Sequence, residues 1–189
     1  MADLVTNVRP TGALSTTRPK PMITAGRIAR RVRQLGSNIS HVYRDIDTPL
    51  VLVVILKGAT VFAADLLRSL SIPAELEFVR AASYGSGTSR GALRLAHMVD
   101  GPLVDRHVLL VEDIVDSGLT LSYVRKNLQA RNPASLEVCA LLVREGLQKH
   151  DPQLRYVGFR IPPEFVIGYG LDVGERYRNL ADICVYLGS

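Results

Sequence analysis

The stretch DRHVLLVEDIVDSGLTL, residues 105–121, bears on fold and chemistry together. Its apolar run 108–111 has the length of one buried strand. Glu112 and Asp113 follow as an acidic turn, then Ile114, Val115, the lone acid Asp116 and the small polar set Ser117, Gly118 and Thr120. Leu121, Val124 and Leu128 recur at helical spacing. The order is strand, acidic turn, small-residue loop, helix. A helix N-terminus leaves backbone N–H groups unpaired and carries partial positive charge. Gly118 lets the backbone approach a bound group, and the Ser117 and Thr120 hydroxyls add donors, so such a loop can cradle a phosphate. The acids ahead of it suit hydroxyls or a metal ion instead. A ligand with a phosphate at one end and a sugar diol beside it matches both halves. The competing view is an ordinary turn capped by Asp116 or Ser117. Three carboxylates within five residues, directly after a buried strand, make that view less attractive. The loop has neither the Lys of a Walker phosphate loop nor the spacing of a dinucleotide fingerprint.

Upstream, Ile28, Val32, Leu35, Ile39 and Val42 step by three or four and mark one face of a helix. Arg27, Arg30, Arg31 and Arg33 occupy its other positions, as a solvated surface, and Gly36 lowers its intrinsic stability. After Pro49, the run LVLVVIL at 50–56 is continuous and β-branched, as a parallel strand covered on both faces should be. Lys57 and Gly58 close it, at the strand end where open α/β sheets bind ligands, and 60–70 reads as a helix. A strand at 74–80 leads into 83–91, a Gly- and Ser-rich segment without periodicity. That segment fits a mobile lid able to keep water from a charged transition state, and 93–99 returns as a strand.

Downstream of the central stretch, 136–143 is another apolar strand, ending at Arg144. Segment 156–161 is a short strand broken by Pro162 and Pro163, 165–172 reads as strand and turn, and 183–187 as a last strand. Strands alternate with helices through the middle of the chain, so the class is α/β with a mainly parallel sheet. Neither an internal repeat nor a second domain is visible.

A chain of 189 residues, 47% hydrophobic and 22% charged, fits one compact domain. No apolar run approaches membrane-spanning length, so no membrane partner is expected. The formal charge is +5, and 19 of the 23 basic residues are arginine, which suits small anions held by guanidinium groups. The charge is not gathered into one block, so no nucleic-acid partner is expected. Cys139 and Cys184 lie in apolar runs and read as buried, reduced thiols, consistent with a cytoplasmic protein. His41, His97, His107 and His150 lack zinc-ligand spacing. Residues 1–21, with three prolines and no periodicity, read as a flexible tail ahead of a domain at 22–189.

The segment VEDIVDSGLT closely resembles the diphosphosugar-binding motif of type I phosphoribosyltransferases. From about Ile23 onward the chain resembles the hypoxanthine-guanine branch of that family. The resemblance is carried by four blocks: Leu56-Lys57-Gly58, Ser83-Tyr84, 112–120 and 165–178. It implies a single-domain fold with a mainly parallel sheet flanked by helices, a small hood and a flexible lid loop. It further implies transfer of a phosphoribosyl group from 5-phosphoribosyl 1-diphosphate to hypoxanthine or guanine, with Mg2+, giving the nucleoside monophosphate and pyrophosphate, in a homodimer or homotetramer.

By the same resemblance Glu112 and Asp113 hold the ribose hydroxyls and, with Asp172, magnesium. Asp116 is the catalytic base near purine N7. The backbone of Asp116, Ser117, Gly118, Leu119 and Thr120 binds the 5′-phosphate. Lys57, Gly58 and Arg178 meet pyrophosphate, with a cis peptide after Leu56. Phe165 stacks on the purine, whose edge meets Val166 and Asp172, and Ser83 and Tyr84 close over the centre. Arg144 is a departure, because the family usually has Lys there, donating to the purine 6-oxygen. Base preference and efficiency are therefore less determined than reaction class. A transferase for another base such as xanthine, a poorly catalytic paralogue, and a non-catalytic diphosphosugar-sensing regulator of the same fold stay open.

Overall fold

A computed structural model describes residues 19–83, 93–97, 99, 101–148 and 153–188. Its centre is β2 (Leu50–Ile55), in which all six residues are buried. β2 is paired in parallel on one side with β3 (Ala74–Ser83) and on the other with β5 (His107–Val115). Beyond β5 come β6 (Ser135–Arg144) and β7 (Tyr156–Ile161), also parallel, and β4 (Leu93–His97) runs antiparallel along the far edge of β3.

Alternation along these strands divides the core in two. Leu50, Leu52, Val54, Leu109, Val111, Cys139 and Leu141 face one side, where they meet α1 (Ala25–Val42) and α2 (Thr60–Ser69). Val51, Val53, Val108, Leu110, Val138 and Ala140 face the other, where they meet α3 (Leu119–Gln129) through Leu121, Val124 and Leu128. Apolar residues on both faces of each strand are the reason these runs read as continuous in the sequence. A small antiparallel sheet, β1 (Pro21–Ile23), β9 (Ile183–Val185) and β8 (Val166–Ile167), joins the two ends of the described chain in the position of the expected hood.

The chain leaves β2 in one direction to build β3 and returns on the other side of β2 as β5. That reversal opens a crevice at the C-terminal ends of β2 and β5, where an open α/β sheet binds its ligands. Lys57-Gly58 and the 112–120 segment both lie there.

Several boundaries differ from expectation. β5 runs on through Glu112 and Asp113 to Val115, so the two acids belong to the strand and not to a turn after it. Its pairing with β6 continues through Glu112↔Ala140 and Ile114↔Leu142, which holds them extended. β3 reaches Ser83, because β4 supplies it with a partner that far. β9 stops at Val185, and Pro21 lies in β1 rather than in the tail. The rest of the tail through residue 18, Tyr84 and the remainder of the expected lid lie outside the described residues.

On α1, Val42 is 45% exposed and Tyr43 is buried in its place, because the helix ends at Val42 and the next residue turns inward. Arg31 is not merely solvated. Its Nη2 and Nε donate to the Val157 and Gly158 carbonyls at 2.7 and 2.9 Å, satisfying the outer edge of β7.

Gly36 is explained by packing. A Cβ there would stand 2.5 Å from the Ser69 carbonyl oxygen at the end of α2. Alanine gains about 1 kcal/mol of helix propensity, but overpacking costs about 1–3 kcal/mol. Gly36→Ala is therefore expected to lower stability in urea unfolding; a higher midpoint at unchanged slope would show that the α1–α2 contact yields.

Candidate functional site

Two adjoining hollows open at the crevice. The smaller, about 220 Å³, is lined by Glu112, Asp116, Ser117, Gly118 and Thr120 among others. The N-cap of α3 is Gly118, at φ 78°, and no side chain caps the helix. The nearest substitute is Ser117 Oγ, which accepts from the Leu119 N–H at 3.4 Å, a long bond. The first turn of α3 thus keeps its donors turned toward the hollow, which is the arrangement that binds an anion. The reading of this turn as one closed by an Asp116 or Ser117 cap is not what the fold adopts.

The larger cleft, about 410 Å³, brings together Lys57, Gly58, Asp113, Asp116, Arg144, Phe165, Val166, Asp172 and Arg178. These come from three strand ends and the 165–178 segment. Leu119 turns its exposed side chain to solvent, which leaves its backbone as the part able to meet an anion. Ser83 is the last residue of β3.

The acids of β5 are in an unusual setting. Glu112 is 7% exposed. Burial, then the neighbouring Asp113 charge, pushes its carboxyl well above the usual range. Burial likewise raises Asp113, against the opposing pull of its bond to Glu112 and of the Ile114 N–H, which donates to Oδ1 at 2.8 Å. Gly58 lies so close that a Cβ would overlap the Asp113 carboxylate. This is why the residue after Lys57 has no side chain. The Leu56–Lys57 peptide is cis, the geometry the resemblance implied. The Lys57 carbonyl is held by the Thr60 hydroxyl at 2.7 Å.

Opposite these acids lies a cation pair. Lys57 Nζ is 2.9 Å from Glu175 Oε1. Arg178 donates through Nη1 to the Gly170 carbonyl at 2.7 Å, and its Nη2 lies 2.8 Å from Asp172 Oδ1 and 3.2 Å from Glu175 Oε2. Glu175 was not legible as a site residue. It sits between Asp172 and Arg178 in a segment whose other residues carry the motif, and only the fold turns it toward Lys57. Arg80 also lines the cleft without having been singled out.

A third group surrounds Phe165, which is 49% exposed and packs edge-on against Tyr186. Arg144 lies with its guanidinium carbon 5.7 Å from the Phe165 ring centre, and its Nη1 reaches Asp116 Oδ2 at 3.0 Å. Burial raises the Asp116 carboxyl above the ordinary aspartate value; the Arg144 charge opposes this, while Asp113 adds to it. Gln148 donates to the Asp116 carbonyl at 3.2 Å. One cleft therefore offers anion-binding donors, paired acids, a cation pair, and an aromatic face beside an aspartate.

Among the described residues, no three ligating side chains converge as a self-contained metal centre. Magnesium does not require one, since it is commonly held by one or two carboxylates together with substrate oxygens. The adjacent Glu112 and Asp113, desolvated and raised, have the donor chemistry for such a site. Asp172 is committed to Arg178 and to the Glu175 N–H, at 2.8 Å each.

The phosphoribosyl transferase domain family matches residues 23–173. Among curated proteins, a hypoxanthine-guanine phosphoribosyltransferase of Mycobacterium tuberculosis (strain ATCC 25618 / H37Rv) is 45% identical over 173 residues, covering 89% of this chain and 84% of that one. A hypoxanthine phosphoribosyltransferase of Escherichia coli (strain K12) is 41% identical over 160 residues, covering 84% and 90%. The crystal structure of a Bacillus anthracis hypoxanthine-guanine phosphoribosyltransferase, with a HEPES molecule in its active site, superposes with a TM-score of 0.82 at 36% identity, over 90% of this chain and 100% of that one.

The opposing influences on Asp116 make a direct test. Arg144→Leu removes the cation that lowers its carboxyl, so its titration should move to higher pH; Arg144→Lys should restore most of the wild-type position. The readout is the Asp116 carboxyl carbon followed by NMR in the unliganded protein. An unmoved titration in Arg144→Leu would show that the ion pair has no hold on the Asp116 carboxyl.

Proposed function

The chain belongs to the phosphoribosyltransferase family, and we propose that it is a purine-salvage transferase joining hypoxanthine or guanine to 5-phosphoribosyl 1-diphosphate. The products are the nucleoside monophosphate and pyrophosphate. The observation that supports this most directly is the junction of the two hollows. An open helix N-terminus and paired acids lie next to a cation pair on one side, and next to Phe165 and Asp116 on the other. A phosphate, a ribose diol, a diphosphate and a flat base can be accommodated there in that order.

The roles are those the family resemblance implies, position by position. Backbone donors of 117–120 hold the 5′-phosphate, assisted by the Ser117 and Thr120 hydroxyls. Glu112 and Asp113 accept from the ribose hydroxyls. As the bond from the anomeric carbon to the diphosphate oxygen breaks, negative charge grows on the leaving group and meets Lys57 and Arg178. The same carbon becomes cationic beside the carboxylates of β5. A ring nitrogen of the base forms the new bond, and Asp116 takes or shares the purine proton. Phe165 stacks on the base, and the buried Val166 presents its backbone to the base edge. Mg2+, held by Glu112 and Asp113 with Asp172 approaching a second ion, would supply charge neutralisation on the diphosphate.

Arg144 bears on base choice. Its Nη1 is engaged by Asp116, and the remaining guanidinium N–H groups are donors that cannot be converted to acceptors. A 6-oxo group can accept from them; the 6-amino group of adenine cannot. We place the enzyme in the cytoplasm as a homodimer or homotetramer in the same reading. Cys139 and Cys184 are buried and form no disulfide with each other, which favours a reducing compartment. Among the described residues no helix is long and apolar enough to cross a membrane.

Pyrophosphate release should require base, diphosphosugar and magnesium together; full turnover in excess chelator contradicts the metal role. Asp116→Asn should lower single-turnover kcat by ~10²–10⁴-fold, the usual range for a lost general base, with little change in diphosphosugar affinity. An unpaired buried donor costs ~1–3 kcal/mol, so adenine should show kcat/KM at least about tenfold below hypoxanthine. Arg144→Leu should lose most of that preference. Adenine used as well as hypoxanthine by the wild-type protein would rule this assignment out.

A further inference from the structure

Between Val173 and Arg176 the chain makes a two-residue turn whose exposed side chain has no part in the chemistry above. Val173 and Arg176 exchange backbone hydrogen bonds of 3.3 and 3.1 Å. The residues between them, Gly174 and Glu175, have φ of 58° and 66°. A turn with two positive φ angles accepts glycine or asparagine readily and a long acidic side chain reluctantly. Backbone held in a sparsely populated region commonly marks a functional constraint. Here it orients a carboxylate that spans both cations of the cleft, with Oε1 on Lys57 at 2.9 Å and Oε2 on Arg178 at 3.2 Å.

We propose that Glu175 is an internal counter-anion, holding Lys57 and Arg178 before substrate binds and displaced from them by the diphosphate of the substrate or by pyrophosphate. The inference rests on the reading of Lys57 and Arg178 as the pyrophosphate subsite. One oxygen on each cation is the pattern a bridging phosphate anion would present. The displacement is easy because the carboxylate and the ammonium are both more than half exposed, at 63% and 51%, and exposed pairs are weak. Arg178 stays in place when Glu175 leaves, since it keeps Gly170 and Asp172. Lys57 has no second ion pair among the described residues, so Glu175 is what aims it across the cleft. The exchange returns one negative charge to water and takes up at least two, which favours a diphosphate over a monoanion. Once pyrophosphate is formed, Glu175 competes for the same cations and hastens its release.

The test is isothermal titration of magnesium pyrophosphate into the full chain, for wild type, Glu175→Gln, Glu175→Gly and Lys57→Gln. Glycine suits the turn better than glutamate, so the Gly variant guards against a misfolded loop. Both Glu175 variants are expected to bind about fivefold more tightly, with a steeper loss of affinity as salt is raised. Lys57→Gln is expected to bind more weakly. If Lys57→Gln weakens binding while both Glu175 variants bind no tighter than wild type, the subsite stands and the displaced anion is refuted. If Lys57→Gln leaves affinity unchanged, the subsite itself falls and this inference with it.

Discussion

Two adjacent carboxylates at the end of a buried parallel strand are the constraint to which the rest of the cleft answers. Glu112 and Asp113 are held extended by the pairing of β5 with β6 and cannot swing into solvent as they could from a turn. Desolvation raises both carboxyls, and the neighbouring Asp113 charge raises Glu112 further. Ionised acids in such a place call for cations or hydroxyl donors in front of them. The architecture leaves that front open. β2 ends beside β5 at the reversal of strand order, and Gly58 comes against Asp113 with no side chain to block it.

Around those acids the cleft neutralises itself with pairs of unequal tenacity. Arg178 is fixed by a backbone carbonyl and Asp172, and is a permanent feature of the wall. Among the described residues, Lys57 is paired only with an exposed carboxylate. Arg144 lies between: its side chain is 14% exposed, it is paired to Asp116, and it lies against Phe165. Burial thus separates groups that stay in place from groups that a ligand can rearrange. Arginine at position 144 puts a planar, many-donor group between Asp116 and the Phe165 ring, where it bears on both.

Much of this was legible in the residues. Runs such as 50–56 and 108–111 announce strands covered on both faces, because a two-sided core leaves no polar alternation. The helix face at Ile28, Val32, Leu35 and Ile39 reads equally well, since each of these residues makes its own contribution to burial. The hollow at the start of α3 is legible because its parts are local: strand end, small residues and helix start are consecutive in the chain. The family resemblance extends this reading to Lys57, Phe165, Asp172 and Arg178, which are distant in sequence and meet in one cleft.

What the residues alone could not decide is what depends on a partner from elsewhere in the chain. The extent of β5 past Val111 is set by β6, and the end of β3 by β4. Gly36 looks like a weak point in a helix until Ser69 is seen against it. Arg31 looks solvated until the edge of β7 supplies its acceptors. Glu175 looks like one more surface acid until the turn at 173–176 carries it to Lys57, 118 positions away in sequence. Periodicity and local motifs determine which segments are strand, helix or loop, because those preferences act between neighbours. Tertiary packing decides where the segments end and which charges face one another, because those are properties of pairs that the linear order does not bring together.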